Sequence, residues 1–490
     1  MKRFLFGQFR VALFFSFLFL AGFFSFAQIE NYKSMMHDNT YNLYEVVEQA
    51  EAYFKKNGRG KGSGAKIFER WKAENESKFY PSGDRHNVDH YLPQKAYQAF
   101  ITKQNIQKNK TSFPNGWVEL GPWDANNVTS HYSPGIGRVE TFWINPNDDQ
   151  HMYLGSRSGG FWRTKNGGKT WENTTDFLVA SGVPALAVNP NNSDEILISV
   201  EHGGMTYTHG IYRSTDGGTS WVKSNFNPTN LGWGGLGDNE HIYKIAYHPS
   251  VVNQVFICST KGLFVSNDNL NTWFSPFNSK TTDVSFHPSK NGTIYAYRHT
   301  SNDANRILIS TNGGNNFFTG GTFSNNNQAR IYLSSSAAAP NHIYAASNNN
   351  VYRSTDEGVT FEALSNPNSN GLAFAVSDIN TDNMIYGYVD LFASTNGGTT
   401  FTQKTQWANQ NDAYIHADLR IAQCINGVFY VGTDGYLAKS SDNGNTWTRL
   451  NDGTAIRENY AVGLSQGNYD INMAGSQDNG TSILNKNGWI

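Results

Sequence analysis

The sequence predicts an all-β protein, a β-propeller of at least seven four-stranded blades with a small helical segment at its N-terminus. Three observations predict it. Aromatic residues make up 14% of the 490 residues, charged residues only 16%, and there are 47 glycines, which is typical of short strands joined by tight turns. A short turn motif recurs seven times, with its final aromatics 40 to 52 residues apart. Strand-like runs fill the intervals, and a repeat of this length is typical of propeller blades.

The repeated motif is Ser/Thr-x-Asp/Asn-x-Gly-x-Thr-Trp/Phe. We expect the Asp or Asn side chain to accept hydrogen bonds from backbone N–H groups two residues ahead, the glycine to supply a positive φ, and the aromatic ring to fill the space between sheets. Leu270 replaces the glycine in the third copy, so a distorted turn is expected there. The Asp/Asn position is occupied by Asn166, Asp216, Asp268, Asn312, Asp356, Asn396 and Asp442.

Because three of the seven copies carry an uncharged Asn, the motif predicts a structural turn. It does not predict a ring of catalytic or calcium-binding carboxylates. Each repeat contains a strand, an Asn/Pro turn, a strand, a short strand, the motif and a fourth strand. Seven complete units span about residues 137–451, and an eighth opens at residues 460–464 and runs to Ile490. We therefore expect a chain truncated within a blade, and the number of blades in the ring stays open.

The first 27 residues predict a signal peptide. Lys2, Arg3 and Arg10 precede an apolar run over residues 11–24, and Ala27 ends a small-residue cleavage site. The run is shorter than the roughly 20 residues that span a bilayer, so no membrane span is expected in the mature chain. The predicted location is secreted or on the bacterial cell surface.

The mature chain is predicted to have two parts. Residues 28–112 form a helical N-terminal segment, with apolar residues three and four apart over residues 42–56 and Gly58 at the end of that helix. Two more helices are expected, around residues 67–71 and 96–101. Residues 113–490 form the propeller.

Composition limits the partners and the covalent chemistry. A net charge of −2 provides no basic surface for a phosphate backbone, which excludes nucleic acid as the predicted partner. Cys258 and Cys424 are too few for a disulfide framework, and their pairing stays open, with burial as small apolar side chains favoured. No cofactor is predicted. A structural calcium ion is an open alternative.

Candidate functional residues concentrate in the last blades. His416 and Asp418 stand two residues apart, and Asp434 and Asp478 lie in Gly-containing loops. An imidazole and carboxylates that meet at one end of a ring would suit acid/base chemistry or a metal; the alternative is a structural hydrogen-bond pair. Further loops hold Glu201-His202 and residues 238–241. Trp123, Trp162 and Trp233 would stack on sugar rings or belong to the core.

The repeated motif is identified as the Asp-box, or bacterial neuraminidase repeat, and residues 135–171 resemble the sortilin-type group of large Asp-box propellers. That group includes sortilin-like receptor domains, xyloglucan-specific endoglucanases and secreted bacterial surface proteins. The likeness is closest to bacterial surface proteins of the type IX-exported kind. It includes the W-x-x-L-G-P sequence at residues 117–122 and the G-x-Q-D-N-G-T sequence at residues 475–481.

The resemblance implies a fold and leaves the activity open. No Arg-Ile-Pro occurs, which argues against a sialidase. In the xyloglucanase-like enzymes one catalytic aspartate lies in a Thr-Asp-x-Gly-Gly segment. The matching residues 156–160 place Arg157 there, and arginine cannot act as a base.

We therefore predict a secreted or cell-surface propeller that binds a protein or polysaccharide through loops at one end of the ring. It is expected to be non-catalytic or of undetermined activity, so its status as an enzyme stays open with a preference against catalysis. The alternative is a glycoside hydrolase resembling the xyloglucan-specific endoglucanases. The second alternative is a structural surface or adhesin scaffold.

Overall fold

A computed structural model describes fourteen stretches of the chain. Together they cover most of the predicted helical segment and most of the predicted propeller. The predicted signal peptide lies outside the described residues, as does residue range 97–101 of the third predicted helix. The chain divides into two compact units, Met1–Ala96 and Tyr97–Ile490. The described residues are 31–86, 96, 112–113, 117–126, 135–178, 180–201, 208–233, 240–299, 306–323, 330–347, 350–367, 371–409, 414–468 and 470–489.

The first unit contains three described helices, α1 (Asn31–His37), α2 (Leu43–Asn57) and α3 (Ala65–Phe79). Asn42 caps α2: its side chain accepts the N–H of Tyr44, and the carboxylate of Glu45 accepts the N–H of Asn42. Gly58, with φ of 78°, ends the helix. None of the helices in the described part of the chain has the length and hydrophobicity that a bilayer span requires.

The second unit is built almost entirely of strands, with one short helix, α4 (Pro228–Leu231). Strands β1 (Ser112–Phe113) and β2 (Trp117–Val118) pair with each other. The remaining described strands form eight antiparallel sheets, each made of four strands that are consecutive in the chain.

The first four sheets contain β3 (Val139–Asn145), β4 (Asp148–Ser156), β5 (Phe161–Thr164) and β6 (Glu172–Asn173); β7 (Leu186–Asn189), β8 (Asn192–Glu201), β9 (Thr208–Ser214) and β10 (Val222–Lys223); β11 (Ile242–Tyr247), β12 (Val255–Ser259), β13 (Gly262–Ser266) and β14 (Phe274–Phe277); and β15 (Thr281–Phe286), β16 (Ile294–Arg298), β17 (Arg306–Ser310) and β18 (Phe318–Thr322).

The last four sheets contain β19 (Tyr332–Ser335), β20 (Ile343–Ala346), β21 (Val351–Ser354) and β22 (Glu362–Ala363); β23 (Ala373–Val376), β24 (Asn383–Gly387), β25 (Leu391–Thr395) and β26 (Thr402–Gln403); β27 (Ile421–Ile425), β28 (Val428–Gly432), β29 (Leu437–Ser440) and β30 (Thr448–Arg449); and β31 (Asn459–Leu464), β32 (Asn472–Ser476), β33 (Thr481–Asn485) and β34 (Gly488–Trp489). The Asp-boxes lie between third and fourth strands, as predicted.

Buried apolar clusters join the first seven sheets into a closed ring. Within the described residues, each consecutive pair of sheets shares one cluster, from the first and second sheets to the sixth and seventh. A further cluster joins the seventh sheet to the first, with Phe142 of β3 against Tyr430 of β28. The N–H of Val139 also donates to the carbonyl of Thr433 at 2.9 Å. The ring therefore has seven blades.

The eighth sheet is outside this ring. All six residues of β31 are exposed, whereas the innermost strands of the ring are mostly buried, as β7 and β23 show. The sequence analysis expected the chain to stop within this unit. In the structure the unit has four paired strands.

The Asp-box turns differ in one detail from the expectation. In every copy the Asp or Asn oxygen accepts the backbone N–H four residues ahead, as Asp216 does from Ser220 at 2.9 Å. The N–H two residues ahead is already bound, because the Ser or Thr hydroxyl that opens the motif accepts it, as Ser214 does from Gly218. The same four-residue bond occurs in the other six copies.

The terminal aromatics bridge sheets, as predicted. Trp171, in the first sheet's box, donates its indole N–H to the carbonyl of Leu450 beside the seventh sheet. Trp221, in the second sheet's box, donates to the hydroxyl of Thr174 beside the first sheet. Each motif therefore also fixes the position of its blade relative to the preceding one.

The expected distortion at Leu270 is absent. Its N–H donates to the Ser266 hydroxyl at 2.8 Å, as in the other copies, and Leu270 itself adopts the left-handed conformation with φ of 65°. Its side chain is 3% exposed and belongs to the cluster between the second and third sheets. Burial of this side chain offsets the cost of the left-handed backbone.

Substitutions at Leu270 test this balance. Alanine loses the buried side chain, a cost of roughly 2–5 kcal/mol, and keeps the left-handed strain, whereas glycine removes the strain. We expect L270G to be about 1 kcal/mol more stable than L270A in urea unfolding. At Leu263, a buried residue of β13, glycine should be less stable than alanine. The same order at both positions would contradict this explanation.

Acid stability tests the charged Asp-boxes. The Thr360 hydroxyl lowers the pKa of Asp356 to about 2. At Asp216 and Asp442 burial acts in the opposite direction, but hydrogen bonds, above all from Ser220 and Thr446, hold the pKa at about 2. Because these folded values lie below the ordinary value of 3.8, the stability that they contribute is present above pH 4 and is lost as the pH falls toward 2.

The triple variant D216N/D356N/D442N should therefore lose less stability than the wild type between pH 6 and pH 3 in urea unfolding. Asparagine can replace aspartate in the turn, because the side-chain oxygens of Asn166, Asn312 and Asn396 accept the same backbone N–H, four residues ahead. These carboxylates are largely exposed, so we expect less than about 1 kcal/mol from each. The control D194N/D382N/D470N should behave as wild type. Equal acid losses in both triple variants would show that the boxes do not titrate in this way.

Candidate functional site

The candidate site lies at the end of the ring opposite the Asp-boxes. Because the strands of a sheet alternate in direction, the loop between the second and third strands lies at the same end of the ring as the segment that leads into the first strand. We call that segment the approach to the first strand. The Asp-box loops lie at the other end. Loop 157–160, loop 433–436 and the approach 416–420 therefore share one end of the ring, and loop 477–480 of the eighth sheet contacts them there. We call this place the closure cleft.

Three of the predicted residues meet in the closure cleft. Each of Asp418, Asp434 and Asp478 contributes an oxygen atom, and these oxygens lie within 4.8 Å of one another. Asp434 is 3% exposed. The Arg420 guanidinium binds both its oxygens, with Nε 2.7 Å from Oδ1 and Nη2 2.5 Å from Oδ2. This geometry gives Asp434 a positioning role.

Asp418 is the carboxyl group best placed to carry a proton. It is half-buried, and burial raises its pKa, to which the negative charges of Asp434 and Asp478 add; the nearby Arg420 opposes them. Its contact with Arg420 is long, 3.4 Å from Nη2 to Oδ2. Asp418 and Asp478 both have left-handed backbones, with φ of 63° and 53°, a conformation often found where side chains are held for function.

His416 contacts backbone groups and not carboxylates. Its ring nitrogens lie 2.9 Å from the carbonyl of Ala417 and 3.1 Å from the carbonyl of Asp478, and its own N–H donates to the Tyr436 hydroxyl. The ring is buried, and burial lowers its pKa. His416 therefore connects the loop of Asp478 to the seventh sheet.

The sequence analysis missed Glu458, which faces the loop of Arg157. The Ser158 hydroxyl donates to Oε1 of Glu458 at 2.8 Å, and Nε of Arg157 lies 3.9 Å from the same oxygen. Its backbone carbonyl accepts the N–H of Gln477, next to Asp478. Its one signal in the sequence is its place just before the eighth unit. The contact joins residues 300 positions apart, so no local pattern could have found it.

The other predicted acidic and imidazole residues lie elsewhere on the same end. Glu201 contacts Nδ1 of His241 at 3.1 Å, and burial raises the pKa of Glu201. Glu240 accepts the Thr260 hydroxyl. His202, Asp238 and Asn239 lie outside the described residues.

Of the three tryptophans, Trp162 is buried and donates to the carbonyl of Gly159, and Trp233 packs edge-on against Phe226. Trp123 is 42% exposed, so only this ring of the three presents a large surface to solvent. Both cysteines are free; Cys258 is buried and Cys424 partly so.

The carboxylates fit a divalent cation poorly. Arg420 takes both oxygens of Asp434, and Arg138 lies 3.5 Å from one of them. The amide of Gln477 binds the Asp478 carboxylate. A calcium ion prefers 6 to 8 oxygen ligands, which this set would not supply without losing its ion pairs. The expectation of no cofactor stays a prediction.

Comparisons with known proteins point to polysaccharide-cleaving enzymes. No protein-family model matches the chain. A xyloglucanase from a Paenibacillus species is 32% identical over 114 residues, 20% of this chain and 11% of the relative. A probable oligoxyloglucan-reducing end-specific xyloglucanase from Neosartorya fischeri is 27% identical over 157 residues, 31% of this chain and 15% of the relative. The matches are therefore regional.

The fold is similar to solved glycoside hydrolases. The Niastella koreensis GH74 enzyme has a TM-score of 0.54 at 19% identity, with 73% of this chain and 60% of that chain covered. The GH74 xyloglucanase from Xanthomonas campestris has a TM-score of 0.54 at 14% identity, with 71% and 60% covered. The chain thus spans less than two thirds of these enzymes, and the likeness shows the propeller fold.

These relatives correct the functional prediction. The sequence analysis preferred a propeller without catalysis and placed a glycoside hydrolase second, chiefly because Arg157 occupies the position of a catalytic aspartate. Both curated relatives are xyloglucanases, which favours the hydrolase, so the preferred reading was wrong. Its argument gave most weight to the residue at position 157, whereas the fold brings the carboxylate of Glu458 to the same loop.

Stability tests the positioning role of Asp434. Asparagine at this position would leave Arg420 without its bidentate partner in a buried place, and breaking such a pair costs roughly 3–5 kcal/mol. We expect D434N to lose stability on that scale in urea unfolding. The control is D149N, which removes an exposed partner of Lys439 and should cost less than about 1 kcal/mol. Equal losses would contradict the role.

Proposed function

We propose that this protein hydrolyses glycosidic bonds in a β-linked polysaccharide of the xyloglucan class, and that the closure cleft is its active site. The sequence similarity to two xyloglucanases supports the substrate class. The observation that carries the proposal is a half-buried carboxyl of raised pKa, Asp418, in a cleft that also holds a second available carboxylate, Glu458.

Asp418 is the proposed general acid. Hydrolysis needs a protonated carboxyl that gives its proton to the leaving oxygen of the glycosidic bond. The raised pKa of Asp418 keeps a larger fraction protonated near neutral pH than an ordinary aspartate would have. The ion pair of Arg420 with Asp434 fixes the position of Arg420 beside it.

Glu458 is the proposed second carboxylate. Such a pair stands roughly 5 to 10 Å apart across the bond, and the second member either activates a water molecule or attacks the sugar. Arg157 cannot accept a proton. Together with Ser158 it would instead hold the Glu458 carboxylate in place.

We further propose that the enzyme acts outside the cell, as a surface protein of the sortilin-type, type IX-exported group. The predicted signal peptide over residues 1–27 supports export, and the two matched segments at residues 117–122 and 475–481 support the group. A polymeric substrate such as xyloglucan would also be met outside the cell.

Reducing-end release from xyloglucan and other β-glucans by the full chain tests the proposal. We expect D418N and E458Q each to lower kcat roughly 10²–10⁴-fold, the contribution of one acid/base group. D470N, an exposed acidic residue of the eighth sheet, is the matched control and should act as wild type. Because Asp418 must be protonated, activity should fall as the pH rises through its raised pKa.

Two results would contradict the proposal. One is a folded wild-type protein that releases no reducing ends from any glucan of the panel. The other is full activity in both D418N and E458Q, which would move the chemistry away from the closure cleft.

A further inference from the structure

The innermost strands bring charged side chains together at the mouth of the central channel. In five of the seven blades a basic residue lies one or two positions before the innermost strand begins. These residues are Arg138, His241, Lys280, Arg330 and Arg420. Because each blade points its first strand at the axis, these residues surround one opening. It lies at the same end of the ring as the closure cleft.

Most charges at this mouth are paired. The pairs in the described part of the chain are Arg138 with Glu140, His241 with Glu201, Lys244 with Asp283, Lys261 with Glu240, and Arg420 with Asp434. Arg330 and Lys280 differ, since neither has a carboxylate within 4.0 Å among the described residues. Arg330 and Lys280 are therefore two basic residues of this mouth that lack an ion-pair partner among the described residues.

Arg330 lies against aromatic rings, and the negative charges of Asp283 and Glu140 act on it without a direct contact. Its guanidinium carbon lies 5.0 Å from the ring centre of Tyr332 and 5.7 Å from that of Tyr243. Among the described residues its guanidinium makes one long hydrogen bond, 3.4 Å from Nη2 to the carbonyl of Tyr243, and its Nε is buried without a partner there. A guanidinium has five donors, and the Nε donor of Arg330 has no acceptor in the part of the chain that the structure describes.

Lys280 adds a second charge at the same ring. Its Nζ lies 5.3 Å from the centre of Tyr243. Burial lowers the pKa of Lys280, and the charge of Arg330 lowers it further. Two cations that share one ring in a half-buried place repel each other, and an anion between them would remove that cost.

We propose that Tyr243, Lys280, Arg330 and Tyr332, here called the axial pocket, bind one oxyanion at the mouth of the channel. The planar guanidinium suits two oxygens of a carboxylate or sulfate, and the lysine adds a point charge. The rings of Tyr243 and Tyr332 lie against these two cations and hold them in place. The ligand is therefore either an acidic sugar of uronic acid type or a free inorganic oxyanion.

Calorimetric titration of the full chain with sodium glucuronate and with sodium sulfate tests the axial pocket. Glucose and sodium chloride of equal ionic strength are the controls for sugar and salt. We expect one equivalent to bind the wild type. R330Q and K280Q should each weaken binding about tenfold or more, because each removes a charge-assisted contact. R353Q removes an arginine paired with Glu362 elsewhere in the ring and should bind as wild type.

The two anions separate the two sources. Tighter binding of glucuronate supports an acidic sugar, and tighter binding of sulfate supports a free oxyanion. The proposal is overturned when neither anion binds beyond the chloride control, or when R330Q and K280Q both bind as wild type. If R330Q does not fold, K280Q alone decides. No polysaccharide is cleaved in this experiment, so a failure of the proposed hydrolysis leaves its result unaffected.

Discussion

The contact between the first and the seventh sheets is the one on which the rest of the structure depends. Residues nearly 300 positions apart must meet there, as Phe142 and Tyr430 do in one buried cluster. Each other junction joins sheets that are neighbours in the chain, so its loop-closure cost is small, whereas this junction closes the whole ring. The seven Asp-boxes make such a closure attainable, because each fixes one sheet and its bridging aromatic against the preceding sheet.

The same junction creates the closure cleft. Loop 157–160 comes from the first sheet, residues 416–436 from the seventh, and Glu458 and Asp478 from the segment that follows the ring. Without closure, Ser158 and Glu458 would not meet. Asp434 would also lose Arg138, the second arginine beside it, which comes from the first sheet. The chemistry that we propose is therefore a consequence of how the ring closes. The axial pocket depends on the same geometry, since only a closed ring gathers the first strands around one opening.

Sequence reasoning predicted the local features and missed those that depend on distant contacts. The repeat period predicted the sheets, and the capping residue Asn42 and Gly58 bounded a helix, because turns and caps are encoded within a few residues. It also grouped Asp418, Asp434 and Asp478, because all three belong to the last repeats. It missed Glu458, whose partner is 300 positions away, and it expected a distorted turn at Leu270, whose burial is set by the neighbouring sheet. The number of blades stayed open because the repeats alone do not say which sheet meets the first.

Native-state hydrogen exchange at the amide of Val139 tests ring closure most directly. This N–H donates to the carbonyl of Thr433, across the junction of the first and seventh sheets. A closed ring of seven sheets predicts that it exchanges as slowly as the amides that pair β28 with β29, because it opens only when the ring opens. Exchange at the rate of an exposed loop, with β28 still protected, would show that the two sheets do not meet and would contradict the account.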